Sequence, residues 1–149
     1  MDSVEARVRE LIALEARAWD TGDVDLLLTV FHPDMVWPWP RTPTSVDPID
    51  WDIGFGRFDR ERWRALWQGL FDAFDLVHNR HEVLSIQVSP QADAAFAVLD
   101  VDTLWRDAAG AEEHWLGRIA KGYTLVGDEL KLILHVGALR YGNETPQTS

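Results

Sequence analysis

Cysteine is absent from the 149 residues, which excludes disulfides, thiolate metal sites and thiol nucleophiles and fits a reducing, cytoplasmic setting. Lysine is almost absent: Lys121 and Lys131 are the only two, and the one dense arginine run, "GRFDRERWR", is interleaved with acids. With 14 basic against 25 acidic residues the net charge is -11. Nucleic acid is therefore not an expected partner, because a phosphate backbone is bound by clustered cations that displace its counterions. The same field works against anionic membranes and polyphosphate substrates, yet a single arginine can still receive one carboxylate. Long apolar runs are missing as well. Residues 1–20 carry Glu5, Arg7, Arg9, Glu10, Glu15 and Arg17, so they form neither a signal peptide's apolar stretch nor a membrane span.

Several catalytic signatures are also missing. There is no GxSxG, and the glycines of "DIGFGRF" have no preceding buried strand and no third fingerprint glycine. "HE" at His81–Glu82 lacks the downstream histidine of a zinc helix. His78 and His81, three apart on a strand, point to opposite faces. His32–Pro33–Asp34 reads as turn chemistry more than as a ligand pair, a facial triad of His78, His135 and Asp100 is geometrically conceivable, and neither metal nor cofactor is expected.

What is present is a core. Hydrophobic residues make up 46% of the chain, and eight tryptophans give it large rings whose N–H groups seek partners along an interface or cavity. Ser3 caps a first helix on which Val4, Val8, Leu11, Ala18 and Trp19 recur at helical spacing; Gly22 ends it, and Asp23 caps a second over "VDLLLTVF". In "FHPDMVWPWPRTPTSV" the prolines limit "MVW" to a short edge strand, followed by a long loop over 41–57. A third helix runs from Asp59 to Phe74 with Trp63, Leu66, Trp67, Leu70 and Phe71 on one face. The period then changes to two, giving strands over 75–89, 93–106, 113–126 and 129–141 joined by tight turns. The expected class is α+β: three N-terminal helices on a curved, mainly antiparallel sheet, as one domain over 1–141 with a frayed tail over 142–149.

Centring the hairpins on Gln91, Gly110 and Gly127–Asp128 predicts the faces of this sheet. Arg80 falls opposite Asp102, Glu82 opposite Asp100, Asp102 opposite Arg118, and Ala120 opposite His135. One face then carries His78, Arg80, Glu82, Asp100, Asp102, Arg118 and His135 beside Phe96, Val98, Leu116 and Ile133. A solvated face laced with ion pairs is one reading. The other is the polar end of a pocket. There Asp100 is the preferred base and His135 or His78 the acid, while Asp102 is held by Arg80 and Arg118, with Phe96 and Leu116 in the deeper wall. Apolar residues on both sheet faces further predict a homodimer.

The order of elements resembles the nuclear transport factor 2-like superfamily, in its SnoaL-like, polyketide-cyclase-like branch. The resemblance rests on "WDTGD", "LLLTVFHPDMVW", the glycine before "RFDRERWRALW", and the late strands with "GRI" and "LKLILHVG", and covers residues 5 to 139. It implies a cone-like barrel with a deep apolar pocket for a small apolar molecule, often in a homodimer and often without a cofactor. By the same resemblance Trp19, Phe31, Trp37, Trp63 and Trp67 lie along the cone or its mouth, and His135 is a pocket residue. The steroid-isomerase branch places its carboxylate base where this chain reads Trp37, Pro38, Trp39, which argues against steroid isomerisation by that constellation. The functional expectation is a small-molecule pocket protein carrying out cofactor-free isomerisation, dehydration or cyclisation; a non-catalytic binding or oligomerisation module is the alternative.

Overall fold

The computed structural model describes residues 3–40, 49, 51–54 and 56–137. The Ser3 hydroxyl accepts the Ala6 amide at 3.1 Å and opens α1, Val4–Thr21. Gly22 closes it in the left-handed conformation, φ 65°, where a side chain would be strained. Asp23 caps α2, Val24–Leu28, through the Leu26 amide. This helix is shorter than its apolar run suggests: Thr29 and Val30 form a turn, and the Val30 carbonyl, just before the first strand, accepts the Leu132 amide at 2.8 Å. Asp59 caps α3, Arg60–Ala73, through the Arg62 amide. Among the described residues no helix is long and apolar enough to cross a membrane.

The strands are β1 (Phe31–Val36), β2 (Trp39–Pro40), β3 (Trp51–Asp52), β4 (Phe74–Val88), β5 (Ala94–Asp107), β6 (Glu112–Val126) and β7 (Glu129–Val136). The end of the expected 129–141 strand and the tail from 142 lie outside the described residues. β1 is longer than "MVW" and tolerates Pro33 because it lies at the sheet edge. The expected loop over 41–57 is framed by a two-stranded piece in which Trp39 pairs with Asp52 and Pro40 with Trp51.

Two features correct the expected architecture. The main sheet is open, in the order β1-β7-β6-β5-β4, with β1 and β4 at opposite edges, so it is not closed into a cone-like barrel. It is also mixed, since β1 runs parallel to β7 while the other pairs are antiparallel. Nor are the three helices all N-terminal: β1, β2 and β3 intervene before α3. Long helical periods read clearly from sequence, whereas a parallel edge pairing between the first strand and the last leaves no turn signal.

Register decides which side chains share a face. β4 and β5 pair as expected, Arg80 with Asp102 and Glu82 with Asp100. In the β5–β6 hairpin the cross-strand partners are offset by two residues from those expected: Asp100 sits opposite Arg118, and Asp102 opposite Leu116. An even offset keeps the faces but changes the partners. The β6–β7 ladder begins as expected at Val126–Glu129, then shifts at a bulge between Gly122 and Tyr123. Beyond it His135 pairs with Lys121 and Val136 with Ala120, so His135 leaves the Asp100 face for the helix-covered one. Gly122 makes room for this crossing: a Cβ there would lie 3.2 Å from Leu134 Cβ and 3.3 Å from the Phe96 ring.

The helix-covered face is the core. Leu99, Ile119, Tyr123 and Leu132 are buried with Val8, Ile12 and Ala18 of α1 and with Leu27 and Leu28 of α2. Trp63 of α3 is fully buried, its ring edge-on to Phe31 at 5.3 Å and to Phe58 at 5.1 Å.

Candidate functional site

A cavity of about 210 Å³ opens between α1, α3 and the inner face of the sheet. On α1, Ile12, Glu15, Ala16 and Trp19 follow the i, i+3, i+4, i+7 spacing that makes one helix face, and all four line the cavity. Trp67 closes it from α3 and Trp37 from the end of β1, while Leu99, Val101, Thr103, Trp115 and Ile119 form the sheet wall. Trp19 packs edge-on against Trp67 at 4.9 Å and against Trp115 at 5.9 Å. The exposed His81 and Glu113 mark the solvent side.

Three polar residues stand at the closed end. Glu15, Lys121 and His135 are only 2%, 6% and 5% exposed. Lys121 Nζ donates to Glu15 Oε1 at 2.5 Å, and Trp19 Nε1 donates to Glu15 Oε2 at 3.2 Å. Burying two charges costs several kcal/mol each unless they are paired and hydrogen-bonded, and this pair meets that condition. An ammonium has three donors, and Lys121 uses one of them on Glu15. His135 lies across the ladder from Lys121 and stacks on Trp37 with ring centres 3.8 Å apart. Burial, assisted by the Lys121 charge, pushes the His135 pKa well below 6.5, so the imidazole is neutral at pH 7. The Tyr123 hydroxyl, buried and without a hydrogen-bond partner among the described residues, is pushed well up by burial and by the Glu15 charge.

The SnoaL-like domain profile matches residues 3–131, almost the whole chain. This chain belongs to the SnoaL-like family. Its fold is that of nuclear transport factor 2-like proteins: an NTF2-like protein from Cytophaga hutchinsonii has a TM-score of 0.66 at 12% identity, over 91% of this chain and 97% of that one. A conserved protein from Planctomyces limnophilus gives 0.70 at 13%, over 89% and 92%. A ketosteroid isomerase-like protein from Erwinia carotovora atroseptica gives 0.65 at 12%, over 88% and 92%. At these identities the likeness is one of fold. No curated protein matches the sequence.

In this SnoaL-like chain, of the side chains singled out from sequence, Trp19, Trp37, Trp67 and His135 line the cavity. Trp63 stands behind it, fully buried in the core. Asp100, Asp102, His78, Arg80, Arg118, Phe96 and Leu116 lie on the other face of the sheet, where Phe96 is 57% exposed. Asp100 is bound by Arg118 at 2.7 and 3.1 Å, and that hydrogen bond, more than burial opposes it, lowers its pKa. Of the expected Arg80–Asp102–Arg118 grouping, Arg80 stays beside Asp102, whereas Arg118 pairs with Asp100 and two histidines take its place. Asp102 Oδ1 accepts from His78 at 2.8 Å and from His114 at 2.6 Å, with Arg80 at 3.7 Å from the second oxygen. Burial raises the Asp102 pKa, and the hydrogen bonds from His114 and His78 more than reverse it. Asp34, the acid nearest to the Trp37–Trp39 stretch, pairs at the surface with Arg57.

Glu15 and Lys121 were not singled out by sequence reasoning, although two signals existed. Glu15 interrupts the apolar stripe of α1, and one of only two lysines stands in the apolar run "RIAKGY". A charge on each of two core-facing stripes is a pairing signal.

The neutral His135 has a consequence for stability. Its folded pKa is depressed, so its contribution is complete above the ordinary value of 6.5 and is lost as pH falls from there toward the folded pKa. Between pH 7.5 and 5.5 the wild type should lose about 1.4 kcal/mol more than His135→Phe, roughly 3–6 °C in Tm. Calorimetric melts of the two proteins across that range check this; parallel curves would show that His135 does not titrate between the folded and unfolded states.

Proposed function

We propose that the cavity binds a small, flat, largely apolar molecule bearing one carbonyl or hydroxyl oxygen, and that the chain catalyses cofactor-free proton transfer on it. The observation that carries this reading is the Glu15–Lys121–His135 cluster at the closed end of an aromatic cavity. Tryptophan faces and edges suit a conjugated ring system. A Lys121 donor not used on Glu15 receives the ligand oxygen and stabilises negative charge as it develops there, with Glu15 and Trp19 fixing the ammonium from behind. His135, neutral and held flat against Trp37, takes the proton from the adjacent carbon and can return it elsewhere, which is the requirement for isomerisation, dehydration or cyclisation. Among proteins of the same fold, one is described as ketosteroid isomerase-like, which fits proton transfer next to a carbonyl. The alternative is a binding module without turnover, favoured by the two donors that hold the Glu15 carboxylate.

The test uses 2-tetralone as probe. Titration should quench tryptophan fluorescence, and in D₂O the protein should accelerate exchange of the ketone's α protons, seen by NMR. His135→Gln should retain binding and lose at least about 100-fold of the exchange rate, the range expected for a general base. Binding without accelerated exchange supports the binding module, and absence of both rejects the cavity as a site for this ligand class.

A further inference from the structure

On the sheet face opposite the cavity, β4, β5 and β6 bring together two histidines and a carboxylate. His78 and His114 flank Leu104 in one cross-strand row, and Asp102 lies two residues back on β5, on the same face. Both imidazole Nε2 atoms point at a single oxygen, Asp102 Oδ1, at 2.8 and 2.6 Å, and one donor atom from each residue lies within 4.8 Å of the others. We infer that His78, Asp102 and His114 form a three-ligand site for a divalent transition metal, with zinc the best fit.

The chemistry of the donors selects the ion. Two imidazole nitrogens and one carboxylate suit zinc, and calcium and magnesium favour all-oxygen shells. With metal–ligand bonds of about 2.0–2.2 Å, neighbouring ligand atoms in a tetrahedral site stand about 3.3 Å apart. The present spacings need to open by roughly half an ångström, within reach of small side-chain rotations at ligands that are 22%, 32% and 38% exposed. On binding, each ring presents its bare Nε2 and carries its proton on Nδ1, and water fills the remaining position. Arg80, 3.7 Å from Asp102 Oδ2, orients the carboxylate from outside the cluster. The net charge of -11 raises the local concentration of cations. β5 pairs antiparallel with β4 on one side and β6 on the other, and the β4–β5 register is unbroken from His78 to Val83, just past a bulge between Leu76 and His78, so all three ligands sit on hydrogen-bonded strand backbone. This site does not depend on the cavity's function, since its residues face away from it.

The experiment is calorimetric titration of Zn²⁺ into tag-free, chelator-treated full-length protein, with Co²⁺ visible absorption as a second readout. Expected are one zinc per chain, a cobalt spectrum with the intensity of low coordination number, and no competition from millimolar Mg²⁺. His114→Gln and His78→Gln should each weaken zinc by about 100-fold, the share of one ligand in a structural site. His81→Gln, on the cavity side, should leave affinity unchanged. Three outcomes overturn the assignment: a Kd weaker than roughly 1 mM, one metal per two chains, or affinity that follows His81 instead of His114. Because His114 and His78 are partly exposed and belong to no core cluster, circular dichroism of their variants should remain that of the wild type, which separates lost ligation from lost folding.

Discussion

Lys121→Met should lower the unfolding free energy by about 3–5 kcal/mol, because it leaves the Glu15 carboxylate buried without its counter-charge. The charge-pair side chains are only 7% and 3% exposed, so water cannot take the ammonium's place without opening the core. Glu15→Gln alone should cost a similar amount by stranding the ammonium. The double variant Glu15→Gln/Lys121→Met should recover most of the loss, since well-packed neutral residues are often as stable as the pair they replace. Urea unfolding at pH 7 measures all three, and the double-mutant cycle isolates the coupling. A cost below about 1 kcal/mol for Lys121→Met would place the pair in the class of solvated surface bridges and remove the electrostatic basis of the proposed site.

Val101→Trp should abolish ligand binding while the fold survives. Val101 lines the sheet wall of the cavity and is not itself fully buried, so a larger ring at that position projects into the space instead of into packed neighbours. The expected loss of 2-tetralone affinity is at least about 100-fold, or 2.7 kcal/mol, against a stability change of about 1–3 kcal/mol or less. Fluorescence titration and thermal melts of the same sample read the two effects separately. Undiminished binding would mean that the ligand sits elsewhere.

The helix starts were legible, because caps and period agree, whereas the end of α2 came three residues before its apolar run gives out. Ser3, Gly22, Asp23 and Asp59 all perform the terminal roles that their chemistry suggests. The four long strands were legible for the same reason, as were the cross-strand partners of β4 and β5. The site was mostly not. Its location turns on parity, and parity in β7 is set by a bulge at Gly122–Tyr123 that no turn residue announces. A glycine in a strand is a hint of a bulge, and here it also marked the close approach of Leu134 and Phe96. The offset in the β5–β6 hairpin hid a second feature. It brings His114 beside Asp102, and a map centred one residue away put Arg118 there. Charged residues on the exposed face attracted a chemical reading because they were numerous, whereas the buried pair was a single acid and a single lysine on separate apolar stripes.

The parallel contact between β1 and β7 constrains the order in which this chain can become compact. The Lys131 ammonium reaches the Thr29 carbonyl across 102 positions, and Glu15 meets Lys121 across 106. A nascent chain emerging from the ribosome therefore presents α1, α2 and β1, with Trp37 and the Glu15 stripe, long before their partners exist. Closing loops of that length carries an entropy cost that local helix formation does not repay until the meander is complete. The interval exposes a tryptophan-rich surface and an unpaired strand edge, the features that make folding intermediates adhesive. Helices that form early would shield part of it, and the end of β1 can bond Arg57 and Phe58, but the rest of that strand waits for β7.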